Sequence, residues 1–146
     1  MVRKGTVSDI DSIISMASEF WGHTIYDEGY CPETIEAMAS LCIDQGMMSV
    51  LEVDGEVVGF ACGVKGTLLG NCNVTSGTEI AWWVNPDNRS GRSGIALLKH
   101  IEGLAKDAGI KHWNMAFMVS SMPEQIEAIY IKMGYTKTEI IYSKVL

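Results

Sequence analysis

The residues best placed to do chemistry lie in one run, Val84-Asn85-Pro86-Asp87-Asn88-Arg89-Ser90-Gly91-Arg92-Ser93-Gly94, which leads into Ile95-Ala96-Leu97-Leu98. A strand-like stretch ends at Val84, a proline turn follows, and Gly91 and Gly94 flank Arg92 where a helix begins. The first turn of a helix carries unpaired N–H groups and a partial positive charge, so this junction suits an anion. Glycine there lets the main chain approach a diphosphate with no side chain between. Arg89 and Arg92 add positive charge at the same place. The run matches neither G-x-x-x-x-G-K-[ST] nor G-x-G-x-x-G, which excludes a P-loop NTPase and a Rossmann dinucleotide site.

That basic spot stands out because the chain is acidic: 11 Lys and Arg against 18 Asp and Glu give a net charge of −7. An acidic surface repels phosphate backbones, which disfavours nucleic-acid partners and favours cationic small molecules. The 146 residues, 47% of them hydrophobic, suit one folded domain over 1–146 and exclude a disordered chain. Charge interrupts the opening residues too early for a signal peptide, and no run approaches the roughly 18 apolar residues of a membrane span. The expectation is a cytoplasmic protein with no membrane partner. Cys31, Cys42, Cys62 and Cys72 form no C-x-x-C, and the histidines add no ligand spacing. No metal site is expected, and the cysteines read as reduced, buried small thiols.

The hydrophobic pattern supplies the frame. Residues 2–6 suit a short strand. Ser8 with Asp11 resembles a capping box, and Ile10, Ile13, Ile14, Ala17, Phe20 and Trp21 recur at helical spacing, predicting a helix over 8–21. Pro32 fits the first turn of a second helix, closed by Gly46. Residues 47–53 and 56–64 are β-branched-rich runs joined by Asp54-Gly55, the dipeptide of a primed two-residue turn. Residues 65–77, glycine-rich and polar, read as a loop, and 78–84 as a strand. A third helix runs from the glycines to Gly109 on the apolar positions Ile95, Leu97, Leu98, Ile101, Leu104, Ala105 and Ala108. A strand is predicted over 112–119. Ser120 or Ser121 can cap a helix from Pro123 to Met133, and 138–145 reads as a last strand. The order is β-α-α-β-β-β-α-β-α-β, an α/β domain with a mixed sheet.

With these residues in place, the sequence resembles the GCN5-related N-acetyltransferase (GNAT) superfamily. Val84, Pro86, Arg89, Gly94, Leu97 and Leu98 fall in register with V-x-P-x-x-[RQ]-x-x-G-x-[GA] and its apolar helix. Arg92 occupies the position of the first glycine of that pattern, with Gly91 one residue earlier. Ala128-Ile129-Tyr130-Ile131-Lys132-Met133-Gly134-Tyr135 is similar to the family's second segment, A-x-x-[LI]-Y-x-K-x-G-[FY], with one residue fewer before the tyrosine. The order of elements also matches, so the resemblance covers the whole chain.

The resemblance implies acetyl transfer from acetyl-CoA to an amine, a small molecule or a protein. It implies that the backbone of Trp82 and Val84 pairs with the pantetheine arm beside a bulge that splays two strands. It implies that Gly91, Arg92, Ser93 and Gly94 bind the diphosphate, with Arg89 nearby. The side chains of Trp82 and Trp83 read as strand packing. Tyr130 matches the tyrosine that protonates the leaving sulfur, a sensible pairing because phenol and thiol have similar basicity. Pro123 stands where the family often has an asparagine; Ser120 or Ser121 is the substitute contact. Glu79 is the candidate base, acting directly or through water: it alternates onto one face with Ala81 and Trp83, and desolvation there would raise its pKa. Tyr26, Asp27 and Glu28, between the first two helices, are the expected acceptor contacts, since aromatics beside carboxylates suit a cationic amine. His23 reads as a helix-end residue. The resemblance leaves a homodimer open. Two other readings stand beside the enzyme: a catalytically silent acyl-CoA-binding module acting as sensor or partner-binding protein, and an interaction protein whose arginine loop grips another phosphate ligand.

Overall fold

The computed structural model describes residues 1–90 and 92–146; Gly91 lies outside them. The described residues form two compact units, Met1–Ala116 and Phe117–Leu146. The first is organised by its hairpins. Asp54 and Gly55 both take positive φ, 52° and 85°, as a primed turn requires, and join β2 (Met48–Val53) to β3 (Glu56–Leu68). β4 (Asn71–Val84) returns antiparallel to β3, β1 (Val2–Lys4) pairs antiparallel with β2, and β5 (His112–Asn114) lies parallel to β4. The spatial order is β1-β2-β3-β4-β5.

Side-chain alternation along these strands makes two cores. Val50, Phe60, Cys62, Ala81 and Trp83 share one with α1 (Ile10–Trp21) and α2 (Pro32–Asp44). Leu51, Ala61 and Val84 share the other with Leu97, Ile101 and Ala105 of α3 (Ser93–Asp107). Phe60, Leu97 and Ile101 are fully buried, each contributing about 2 kcal/mol.

Several elements differ from the reading of the pattern. The first helix starts at Ile10, after a 3-10 turn over Val7–Asp9. Its capping pair is Thr6 with Asp9, not Ser8 with Asp11: the Asp9 carboxylate accepts the Thr6 N–H at 2.8 Å. Arg3, bonded through two nitrogens to Asp9 and through Nε to Glu52, makes Asp9 the better choice. Residues 65–77 are not a loop. They continue the ladder, Lys65 opposite Gly77 and Thr67 opposite Thr75, around a turn at Leu69-Gly70. Their glycines argued against a strand, yet Trp113 demands one of them, Gly77, as it demands Gly63 on the neighbouring strand. A Cβ on Gly63 would lie 2.4 Å from the Trp113 ring, and one on Gly77 2.9 Å from it.

The strand predicted over 112–119 stops at Asn114. The helix of the second unit, α4 (Pro123–Lys132), is preceded by Met122 in the left-handed region at φ 45° rather than capped by Ser120 or Ser121. Residues 138–145 form no strand: a strand needs a ladder partner, and the second unit contains none among the described residues. Ile140, Ile141, Tyr142 and Val145 are exposed there. Of the four free thiols, Cys42 and Cys62 are buried while Cys31 and Cys72 are exposed, so the expectation of burial holds for half of them. No helix among the described residues is long and apolar enough to cross a membrane.

Candidate active site

β4 changes character at residue 80. Cys62 lies opposite Ala81 but Gly63 lies opposite Glu79, so Ile80 is an extra residue and the strand bulges there. β5 accompanies β4 only from Ser76 to Thr78. Past that point β4 pairs with β3 alone. The Asn85 N–H donates to the Val58 carbonyl. Antiparallel alternation from that bond turns the N–H and C=O of Trp82 and Val84 away from β3. On that open side the Val84 carbonyl accepts from Arg89 Nε at 2.8 Å.

A side chain explains where β5 stops. The Ala116 N–H donates to Glu79 Oε2 at 3.3 Å, so a carboxylate rather than a strand carbonyl receives it. The two chain segments part around Glu79. This glutamate is 8% exposed, and burial pushes its pKa up to about 7, the Ala116 N–H only partly opposing the rise. A carboxyl poised there is half ionised near neutrality and able to accept a proton.

Trp82 and Trp83 point to opposite faces. Trp83 faces α1: Phe20 meets it edge-on at 6.1 Å, the His23 ring lies 5.3 Å away, and Arg89 Cζ sits 4.4 Å over it. Its N–H donates to Asn85 Oδ1 at 3.1 Å. Arg89 is therefore committed to the Val84 carbonyl and the Trp83 face, on the α1 side of the sheet. Trp82 faces α3: a Cβ on Gly94 would lie 2.8 Å from its ring. Arg92 occupies the cap position of α3, Ser93 opens the helix, and the Ser90 and Ser93 hydroxyls are 2.7 Å apart. Gly91 lies outside the described residues.

In the segment after α1, Tyr26 stacks on Trp21 at 5.7 Å, and the Trp21 N–H donates to the Glu28 carbonyl. Tyr26, Asp27 and Glu28 are exposed. Tyr130 belongs to the second unit. It is buried in α4, its ring 6.1 Å from Phe117 and 5.4 Å from Tyr135. The structure thus gathers Glu79, Trp82, Val84, Arg89, Arg92, Ser93 and Gly94 around the end of β4 and the start of α3. His23 joins Trp83 and Trp113 fixes β5, although nothing in their spacing marks either. The Ala116 main-chain donor has no residue signature at all.

An open strand end beside a helix start, on a strand that also carries a buried carboxyl, suits a ligand with an extended arm and an anionic group. Residues 10–135 match the acetyltransferase (GNAT) family. This chain belongs to that family. As a GNAT protein it is an N-acetyltransferase that uses acetyl-CoA. Solved structures share the fold at low identity. The ribosomal-protein-alanine N-acetyltransferase of Brucella melitensis biovar Abortus 2308 superposes with a TM-score of 0.74 at 14% identity, over 100% of this chain and 99% of that one. The glucosamine-6-phosphate N-acetyltransferase of Arabidopsis thaliana gives 0.73 at 18%, over 99% and 97%. A predicted acetyltransferase from Clostridium acetobutylicum, with acetyl-CoA, gives 0.76 at 14%, over 99% and 95%. No curated protein matches the sequence.

Proposed function

We propose that this GNAT protein acetylates an amine by direct attack, with Glu79 receiving the acceptor's proton, directly or through one water, and Tyr130 protonating the departing sulfur. Acetyl-CoA supplies the thioester carbonyl that the amine attacks. The observation that carries the reading is the open edge of β4, where Glu79, held near pKa 7 by burial, marks the parting of the strands.

The chain's own groups fit the coenzyme. The outward N–H groups of Trp82 and Val84 suit the amides of a pantetheine arm, which would add to the strand edge as a further strand does. The Val84 carbonyl already accepts from Arg89, so the N–H groups are the open partners. Arg92, Ser93 and Gly94 at the start of α3 suit the diphosphate. Arg89 acts here as a positioning residue: it holds Val84 and Trp83 and contributes charge rather than a diphosphate bond. Glu79 takes a proton only when ionised, so it works best above its own pKa. A buried carboxyl held near neutrality favours transfer over silent binding, since a module that only binds acyl-CoA has no use for it.

On the acceptor side we assign Tyr26, Asp27 and Glu28 as contacts. The Trp83 face already carries the Arg89 guanidinium, so the positive charge of an acceptor is met by the two carboxylates. The protein works as a cytoplasmic enzyme without nucleic acid in this reading. A panel of amines with acetyl-CoA, followed by free thiol release, tests it. Saturable, amine-dependent release is the expected result; release no faster than hydrolysis with every amine would overturn it.

A further inference from the structure

The chain has four tryptophans, and their N–H groups are not treated alike. Trp21 donates to the Glu28 carbonyl at 2.9 Å, Trp83 to Asn85 Oδ1 at 3.1 Å and Trp113 to Met115 Sδ at 3.0 Å. Trp82 Nε1 is buried with no partner, alone in this among the buried side-chain nitrogens and oxygens of the described residues. Burying an indole N–H unmet costs about 1–3 kcal/mol, and buried indoles ordinarily find an acceptor. Such a group in a native structure calls for an explanation: stored strain, a water or ion, or a functional partner.

Its position says what that is. The Trp82 ring lies under the first turn of α3. The Cβ position of Gly94 is 2.8 Å from Cζ2 and 3.6 Å from Cε2, the ring atom that bears Nε1. The unmet donor thus adjoins the helix start, where main-chain N–H groups also lack intrahelical partners. Gly94 places no side chain between that ring and an incoming oxygen.

We propose that the Trp82 indole N–H is a binding donor for acetyl-CoA: a diphosphate oxygen settling at the first turn of α3 accepts the hydrogen bond that the chain leaves unmade. This rests on the functional reading above, which gives Trp82 a main-chain contact only. Nε1 is covered, so the oxygen reaches it through a small shift of that first turn.

Indole N–H signals, followed by nitrogen-15 NMR while coenzyme A is titrated into the full chain, test the assignment. The Trp82 signal is expected to move downfield and saturate with the affinity read by calorimetry, while pantetheine, which lacks the diphosphate, leaves it in place. Trp82→Phe keeps a ring and removes the donor. It is expected to bind coenzyme A about tenfold more weakly, the worth of a hydrogen bond to a charged group, with a thermal midpoint unchanged or higher. The signal is assigned by its absence in Trp82→Phe or, should that variant not fold, by elimination with Trp21→Phe, Trp83→Phe and Trp113→Phe. Saturable binding with the Trp82 signal unmoved overturns the inference alone, as does a Trp82→Phe variant that binds as tightly as wild type. A pantetheine shift equal to that of coenzyme A overturns the diphosphate as acceptor. No binding of coenzyme A by the wild type removes the functional reading as well.

Discussion

The two halves of β4 obey different rules. From Ser76 to Thr78 the strand has a neighbour on each side, and its Gly77 admits the Trp113 ring. From Glu79 to Val84 it has one neighbour, a bulge, a buried carboxyl and a tryptophan with an unmet N–H. The first half spends its hydrogen bonds within the sheet. The second pairs along one edge only, and side chains pack on both its faces. One strand can thus be paired on both edges and then on one, the change falling beside a single inserted residue, Ile80.

Substitutions break or sharpen that contrast, the most severe first. Gly94→Asp sets a carboxylate at the helix start and a Cβ 2.8 Å from Trp82. Coenzyme A affinity should fall at least a thousandfold, about 4 kcal/mol, and calorimetry that finds it unchanged refutes the diphosphate assignment. Glu79→Gln should lower kcat/KM about a hundredfold at pH 7, within the range of general-base catalysis. In the wild type kcat/KM should climb with pH through about 7 as the carboxylate forms; a climb that persists in Glu79→Gln assigns it to another group.

The same variant probes stability. The folded chain holds the Glu79 proton up to about pH 7 against a reference value of 4.5. Between those values the folded state binds more protons than the unfolded one, so stability falls as pH rises and levels off above 7. The full difference is roughly 3 kcal/mol. Urea unfolding at pH 5 and pH 8 should show that loss in the wild type and little of it in Glu79→Gln. Equal pH dependence in both proteins would deny the carboxyl its buried, raised state.

Tyr130→Phe lies outside the strand and serves as a control on it. Turnover should drop about tenfold, at the low end of acid catalysis, with coenzyme A affinity intact; full activity at saturating substrate takes Tyr130 out of the mechanism. Smallest of all, Asp27→Asn should raise KM for a cationic amine about threefold at low salt and have little effect at high salt, where an exposed charge is screened.

Much of the frame was legible. The Asp54-Gly55 turn, the apolar stripe of α3 and the run from Val84 to Gly94 each carry local signals that tertiary packing leaves intact. What escaped depends on contacts distant in the chain. Gly77 read as loop because its reason, the Trp113 ring, comes from a strand more than thirty residues on. The strand at 112 read too long because its end is fixed by a carboxylate at 79, not by its own residues. Residues 138–145 have strong β-propensity, yet propensity without a ladder makes no strand. Around the site, the type and strand position of Glu79 were readable, but its burial was not. Arg89 is the instructive case: its place in the run suggested an anion partner, while its side chain turned to the nearest carbonyl and ring.

The bond from Ala116 to Glu79 has a consequence for turnover. A carboxylate is a stronger acceptor than a carboxylic acid, so whenever Glu79 picks up a proton its grip on that amide slackens. In the mechanism proposed above, the proton taken by Glu79 and the strength of its contact with Ala116 are linked in one switch. Each turnover by that route would loosen and restore the tie between Ala116 and β4.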